Sequence, residues 1–415
     1  MKLLATLSLA CFSTVLVAQT TVTVTTGPSN AQQTWYSLQN GVVESRPLAE
    51  WDLAFEVTGI TGSILANTAK GIAVYKTPFT LSQWAAIDTA GLAASWPAQH
   101  NSEINWSSGA LNQRLNSNPF YLGWGTYNMV THNIVGDTAF VIKLADGAWK
   151  KFRVDGFSSA TNSFTFTWAD LDGANLQSNT LSRIAFAGRN FGYVSLVNNT
   201  VFDREPANTT WDLLFTKYMA FVPFPVPSMY PVAGVVQNAG TEAQRVDGVT
   251  PAFSDWSAGT FSTEIDQIGY DWKSFNQQTF QWVYVTDRVH FVRDNGGNIW
   301  KLVFTNYGGG ATGNMTFTQE LMSATSVQEN GTTVGFSVYP NPVNNGQVQL
   351  VLAGPESTMD LSIVDMGGRI VMQQRLNGLV DLAARTVDVS ELATGLYTLR
   401  LQGATTSGST RLLVD

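Results

Sequence analysis

The sequence predicts an all-β protein: two duplicated antiparallel β-domains followed by a small C-terminal β-sandwich. Three observations predict this. Short runs of β-branched and aromatic residues, closed by Gly, Asn, Asp and Pro, recur along the chain. An ordered series of blocks repeats about 150–160 residues apart. The composition is 12% aromatic, with 13 Trp, and only 13% charged, which suits large buried cores and argues against disorder.

The duplication sets the domain plan. Trp51-Asp52-Leu53-Ala54-Phe55 recurs as Trp211-Asp212-Leu213-Leu214-Phe215, and Tyr36-Ser37-Leu38 answers Val194-Ser195-Leu196. Further on, Asp137, Lys143, Gly147, Lys151 and Phe157 align with Asp287, Arg293, Gly297, Lys301 and Tyr307. Each copy then holds a hairpin: Thr138 to Lys143 with Trp149 to Val154, and Arg288 to Arg293 with Ile299 to Thr305. The turns Ala145-Asp146-Gly147 and Asp294-Asn295-Gly296-Gly297 supply the positive φ that tight hairpins need. The expected boundaries are 19–185 for copy one and 186–322 for copy two. Trp51 and Trp211 are expected at equivalent buried strand positions. Helix is minor, with Thr80 to Ile87 the best candidate.

At the N-terminus, Lys2 precedes an apolar run from Leu3 to Ala18, and Ala18-Gln19 suits cleavage. Residues 1–18 therefore read as a secretory signal peptide. It contains Cys11, the only cysteine, so the mature chain must be held together by burial and not by disulfides. No later segment is long and apolar enough for a membrane helix. A formal net charge of −8 disfavours nucleic acid and anionic membranes as partners.

After a polar linker at 323–333 come Phe336-Ser337-Val338-Tyr339-Pro340-Asn341-Pro342, Ile363-Val364-Asp365-Met366-Gly367-Gly368-Arg369 and Leu392-Ala393-Thr394-Gly395-Leu396-Tyr397. These blocks alternate like the strands of an immunoglobulin-like β-sandwich. In this order they resemble the C-terminal sorting domain of proteins exported by the type IX secretion system of Bacteroidetes, over residues 334–415. The resemblance implies export through the periplasm to the outer-membrane surface or the medium, with the type IX machinery as partner. The last strand, Ser409 to Asp415, is less basic than is usual in that family.

The duplicated region, over 34–168 and 190–321, resembles HmuY-like proteins. The shared features are the W-D-[LI]-A-F strand near the start and the hairpin with an aromatic-ended strand near the close. The resemblance implies an all-β, non-enzymatic binding protein, with haem as the candidate ligand held between His or Met side chains. Haem iron takes imidazole or thioether donors in an apolar slot. The chain has three His, and the candidate donors are Met129, His132 and His290. His290 aligns with Phe140 and His132 with Trp282, so plain packing competes at both positions. Met219 and Met229 flank the loop Phe221 to Pro227; they could ligate or clasp an apolar ligand, and plain packing of the loop is the favoured role.

Catalysis finds little support in the sequence. It has no zinc-binding His-Glu-x-x-His, no Gly-x-Ser-x-Gly and no phosphate-binding glycine loop. Glu264 and Asp266 would share one face of a strand, but such acidic pairs are common on an acidic surface. Asp170 to Asn175 departs from calcium-loop spacing and reads as an interdomain turn. The alternative to a ligand carrier is an adhesive surface protein presenting aromatics to a protein or glycan.

Overall fold

The computed structural model describes residues 19–59, 62–113, 118, 120–223, 226–323, 332–333, 335–343, 345–353, 356–365, 369–379, 383–403 and 406–414. The expected signal peptide with Cys11, linker residues 324–331 and Met366-Gly367-Gly368 lie outside these. The chain forms two compact units, divided at 324/325. Both are all-β.

The first unit holds two sandwiches. In one, the sheet ordered Gln177–Ser182, Ser163–Asp170, Trp149–Ser158, Ala139–Lys143, Ala73–Lys76, Ala98–Gln99 packs on the sheet Thr200–Phe202, Phe191–Ser195, Leu53–Glu56, Ile64–Ala66. Alternation explains the packing. Phe140 and Ile142 point into the core with Phe152, Phe164 and Phe166, while Ala139 and Val141 face outward beneath Ile87 and Trp96. Phe55 and Phe166 stack across the sandwich with centroids 4.8 Å apart. The other sandwich pairs the sheet Thr20–Thr25, Asn314–Ser323, Ile299–Tyr307, Arg288–Arg293, Glu242–Asp247 with the sheet Ser228–Gln237, Leu213–Val222, Gln32–Ser37, Gly41–Pro47. Both expected hairpins form, closed by Gly147 at φ +91° and Gly297 at φ +83°.

The sheets do not follow the expected halves 19–185 and 186–322. Gln32–Ser37 from copy one pairs with Leu213–Val222 from copy two. Phe191–Ser195 from copy two pairs with Leu53–Glu56 from copy one. The two copies have thus exchanged their opening hairpins, and one sandwich is built from the continuous stretch 48–202. Chain length supplies a reason. A strand at 53–56 pairing with its own hairpin would run in the same direction as Gly41–Pro47, and such crossovers need about a dozen residues. Residues 48–52 span at most about 20 Å. Returning along Gly41–Pro47 takes about 20 Å, with about 10 Å more to step over two strands.

The repeated Trp-Asp motif fastens the exchange. Asp52 Oδ2 accepts the Leu196 N–H at 2.7 Å, and Asp212 Oδ2 accepts the Leu38 N–H at 2.8 Å. Trp51 and Trp211 are buried as expected, but each sits just before its strand. Other expectations need correction. Leu81–Ala86 is a 3₁₀ turn and not an α-helix; Gln83 Oε1 accepts the Thr80 N–H at 3.0 Å. The 170–175 turn joins two neighbouring strands within one sheet, so it is not interdomain. Glu264 and Asp266 lie in a loop, not on a strand.

The second unit packs the sheet Thr332–Thr333, Thr406–Val414, Gly395–Gln402, Thr358–Asp365, Ile370–Asn377 on Gly335–Tyr339, Gln347–Ala353, Ala383–Asp388. Asn341, between its two prolines, ties the entry to the final strand: its Nδ2 donates to Arg411 O at 2.8 Å and its Oδ1 accepts the Leu413 N–H at 2.9 Å.

Candidate functional site

The structure separates the three sequence-predicted donors. His132 closes the turn between Gly125–Tyr127 and Ile134–Gly136 in the left-handed region, at φ +57°. Asn128 holds that turn by accepting the N–H groups of Val130 and Thr131 through its side chain. The His132 ring lines an open cavity of ≈ 590 Å³ walled by Phe120, Leu122, Tyr127, Ile134 and Phe157, with Arg183 at its edge. That volume lies within the range of about 300–1,000 Å³ usual for small-molecule sites. His132 Nδ1 is hydrogen-bonded to the Tyr127 hydroxyl at 2.7 Å. Met129 shares the turn but is 63% exposed and does not line the cavity.

His290 is elsewhere. It is buried in the second sandwich, edge-on to Phe304 at 5.8 Å, and lines neither this cavity nor the one described below. Burial, with the nearby Arg288 and Arg245 charges, pushes its pKa down to about 3, and neither ring nitrogen has a hydrogen-bond partner. The reading of His290 as a ligand donor is therefore withdrawn. Met219 and Met229 lie on the paired strands that flank the 223–227 loop, in register with Pro231 and Phe221 respectively.

Sequence reasoning missed a second cavity, where the exchanged hairpins meet. It is ≈ 90 Å³ and is lined by residues of both copies, among them Trp35, Trp51, Trp106, Tyr193 and Trp211. Arg204, fully buried, lies between the Trp35 and Tyr193 rings at 5.1 and 5.2 Å. It donates to Gln33 Oε1 at 2.5 Å and to Pro47 O at 3.0 Å. Glu205 accepts the Asn190 and Phe191 N–H groups and the Tyr193 hydroxyl; burial pushes its carboxyl up to about 7. Two amides brace the junction alike. Asn67 Nδ2 donates to Leu48 O and Trp51 O, and Asn238 Nδ2 to Asn208 O and Trp211 O, all at 2.6–2.9 Å. This pair lies 171 residues apart while the tryptophans lie 160 apart, so a scan at fixed offset passes over it.

The symmetry fails at one point. Trp51 Nε1 donates to Gln33 Oε1 at 2.9 Å. Gln33 is answered in copy two by Phe191, and Trp211 Nε1 has no partner although Trp211 is 2% exposed. Tyr218 lines the same cavity, and its hydroxyl is also buried and unpartnered.

Fold and tail together define an all-β protein carrying an export module. Residues 337–415 match the secretion system C-terminal sorting domain, and this module belongs to that family, which marks the chain for the cell surface or the medium. No curated protein matches the chain significantly. Among solved structures it is similar to a Bacteroides fragilis protein provisionally classed as a lipoprotein (13% identity, 40% of this chain and 91% of that one, TM-score 0.19). It is also similar to a Bacteroides vulgatus protein provisionally classed as an HmuY-like heme binding protein (14%, 39% and 92%, TM-score 0.18). A third is PorZ, a surface component of the type IX secretion system of Porphyromonas gingivalis (13%, 70% and 44%, TM-score 0.15). Such low scores establish no shared topology. Among the described residues, no helix is long and apolar enough to cross a membrane, and no group of three or more His, Cys, Asp or Glu could hold a metal ion.

Proposed function

We propose that this is an exported, non-enzymatic binding protein whose first sandwich takes haem, or a similar flat apolar ligand, beside His132. The observation that carries this reading is an imidazole at the wall of an open aromatic cavity, with one ring nitrogen already engaged by Tyr127. When Nδ1 is the proton donor in that bond, Nε2 keeps its lone pair, which is how iron-ligating imidazoles are oriented. The donor set fits the group: one imidazole, apolar walls for the macrocycle, and Arg183 to attract a carboxylate at the edge. Met129 stands in the same turn but outside the cavity lining, so its thioether serves as second donor only after the side chain turns inward. Haemin titrated into the mature chain should give a sharp Soret band. His132→Ala should weaken it strongly and Met129→Ala should shift it. An unchanged spectrum with both residues replaced would sink the proposal.

A second reading, adhesion, rests on the hairpin Lys273–Asn276 and Gln281–Tyr284, where Phe275 and Phe280 stand exposed with ring centroids 6.4 Å apart. Under that reading, Phe275→Ser with Phe280→Ser abolishes binding to a partner surface and leaves the haem titration as it was.

A further inference from the structure

We propose that the junction cavity is a second binding site, for the acetamido group of an N-acetylated ligand. It is independent of the haem reading and lies between other residues. At ≈ 90 Å³ the cavity has room for several waters, and so for a four-atom acetamido group. Its walls are largely apolar, which suits a methyl group. Most polar groups lining it are engaged within the protein: Gln33, Asn67, Asn101, Asn190 and Glu205 all have partners. Two buried hydrogen-bonding atoms of the lining residues remain without one, the Trp211 indole N–H and the Tyr218 hydroxyl. An indole nitrogen only donates, so the ligand must bring an acceptor. Glu103 and Glu205 also line the cavity, which disfavours a carboxylate. A neutral carbonyl attached to a methyl meets all these conditions.

The duplication provides an internal counterpart. In copy one the Trp51 N–H is satisfied by an amide carbonyl, that of Gln33. In copy two Phe191 stands at the matching position and brings no acceptor, and a ligand's amide carbonyl takes the place of the missing carbonyl. The rest of the ligand lies beyond the half-buried residues Thr68, Ser102, Glu103 and Lys217.

The same acetamido chemistry occurs on amino sugars and on acetylated peptides, so the test has two arms. The full-length chain is titrated by calorimetry and tryptophan fluorescence with N-acetylglucosamine and its β-1,4 dimer, and separately with an N-acetylated lysine peptide. Glucosamine and the unacetylated peptide are the controls. Saturable binding in one arm, absent from its control, is expected and identifies the source. Trp211→Phe and Tyr218→Phe should each weaken it about tenfold, the loss of one hydrogen bond. Phe191→Gln should abolish it by giving the Trp211 N–H an internal carbonyl, as Gln33 gives Trp51. The proposal is overturned if neither acetylated ligand binds, if the controls bind as well, or if all three folded variants bind like the parent.

Discussion

Replacing His290 by Phe should stabilise the protein, and more so in acid. The imidazole is buried with both ring nitrogens unpartnered, and the matching residue of the first sandwich, Phe140, is an ordinary core aromatic. An unsatisfied buried polar group costs about 1–3 kcal/mol, so a ring of similar size without nitrogens should recover about 1–3 kcal/mol at neutral pH. The acid contribution follows from the pKa of about 3 in the fold against 6.5 unfolded. Between these values the unfolded chain binds a proton that the folded chain refuses, so stability falls as pH falls through this window. At roughly 1.4 kcal/mol per pH unit, this group alone removes about 2 kcal/mol by pH 5. His290→Phe should abolish that portion of the slope. Urea denaturation of the first unit at pH 7.5, 6 and 5, for parent and variant, measures both effects. A destabilised variant with an unchanged slope would show that the imidazole has a partner, and the reasoning would fail.

Asp212→Ala should cost about 2–4 kcal/mol in urea denaturation, since it strands the buried Leu38 N–H and frees the Asn295 N–H held at 3.1 Å; a loss below about 0.5 kcal/mol would mean that the motif does not fasten the exchanged hairpin. Deleting residues 325–415 should leave the melting of the first unit unchanged, because the chain divides there, while the truncated protein stays inside the cell envelope; surface display without the tail would contradict the role of the sorting domain.

The sequence by itself determined the strands and the repeat. Alternation in Phe164 to Trp168, Asp-Gly and Asn-Gly turns, and the recurring Trp-Asp motif are local patterns, and each depends on residues close together along the chain. The tail was equally legible, because its blocks lie within one compact stretch, although the bonds from Asn341 to Arg411 and Leu413 come from a distant part of that stretch. Partner choice was not legible. The two opening hairpins are alike enough to fit either Trp-Asp strand, and only the short reach of residues 48–52 and the closed sheets settle which one each takes. Depth was also hidden. Alternation puts His290 and Phe140 on inward faces, but period-two patterns carry no information about how much protein lies above that face. His132 shows the converse, since a turn at positive φ carries it out of strand alternation to the wall of a cavity. The junction cavity sets Trp211 and Tyr218 against Trp35, Trp51 and Trp106, which lie more than a hundred residues earlier in the chain. Only the exchange of hairpins brings them together, because each repeat's own strands are satisfied by the other copy.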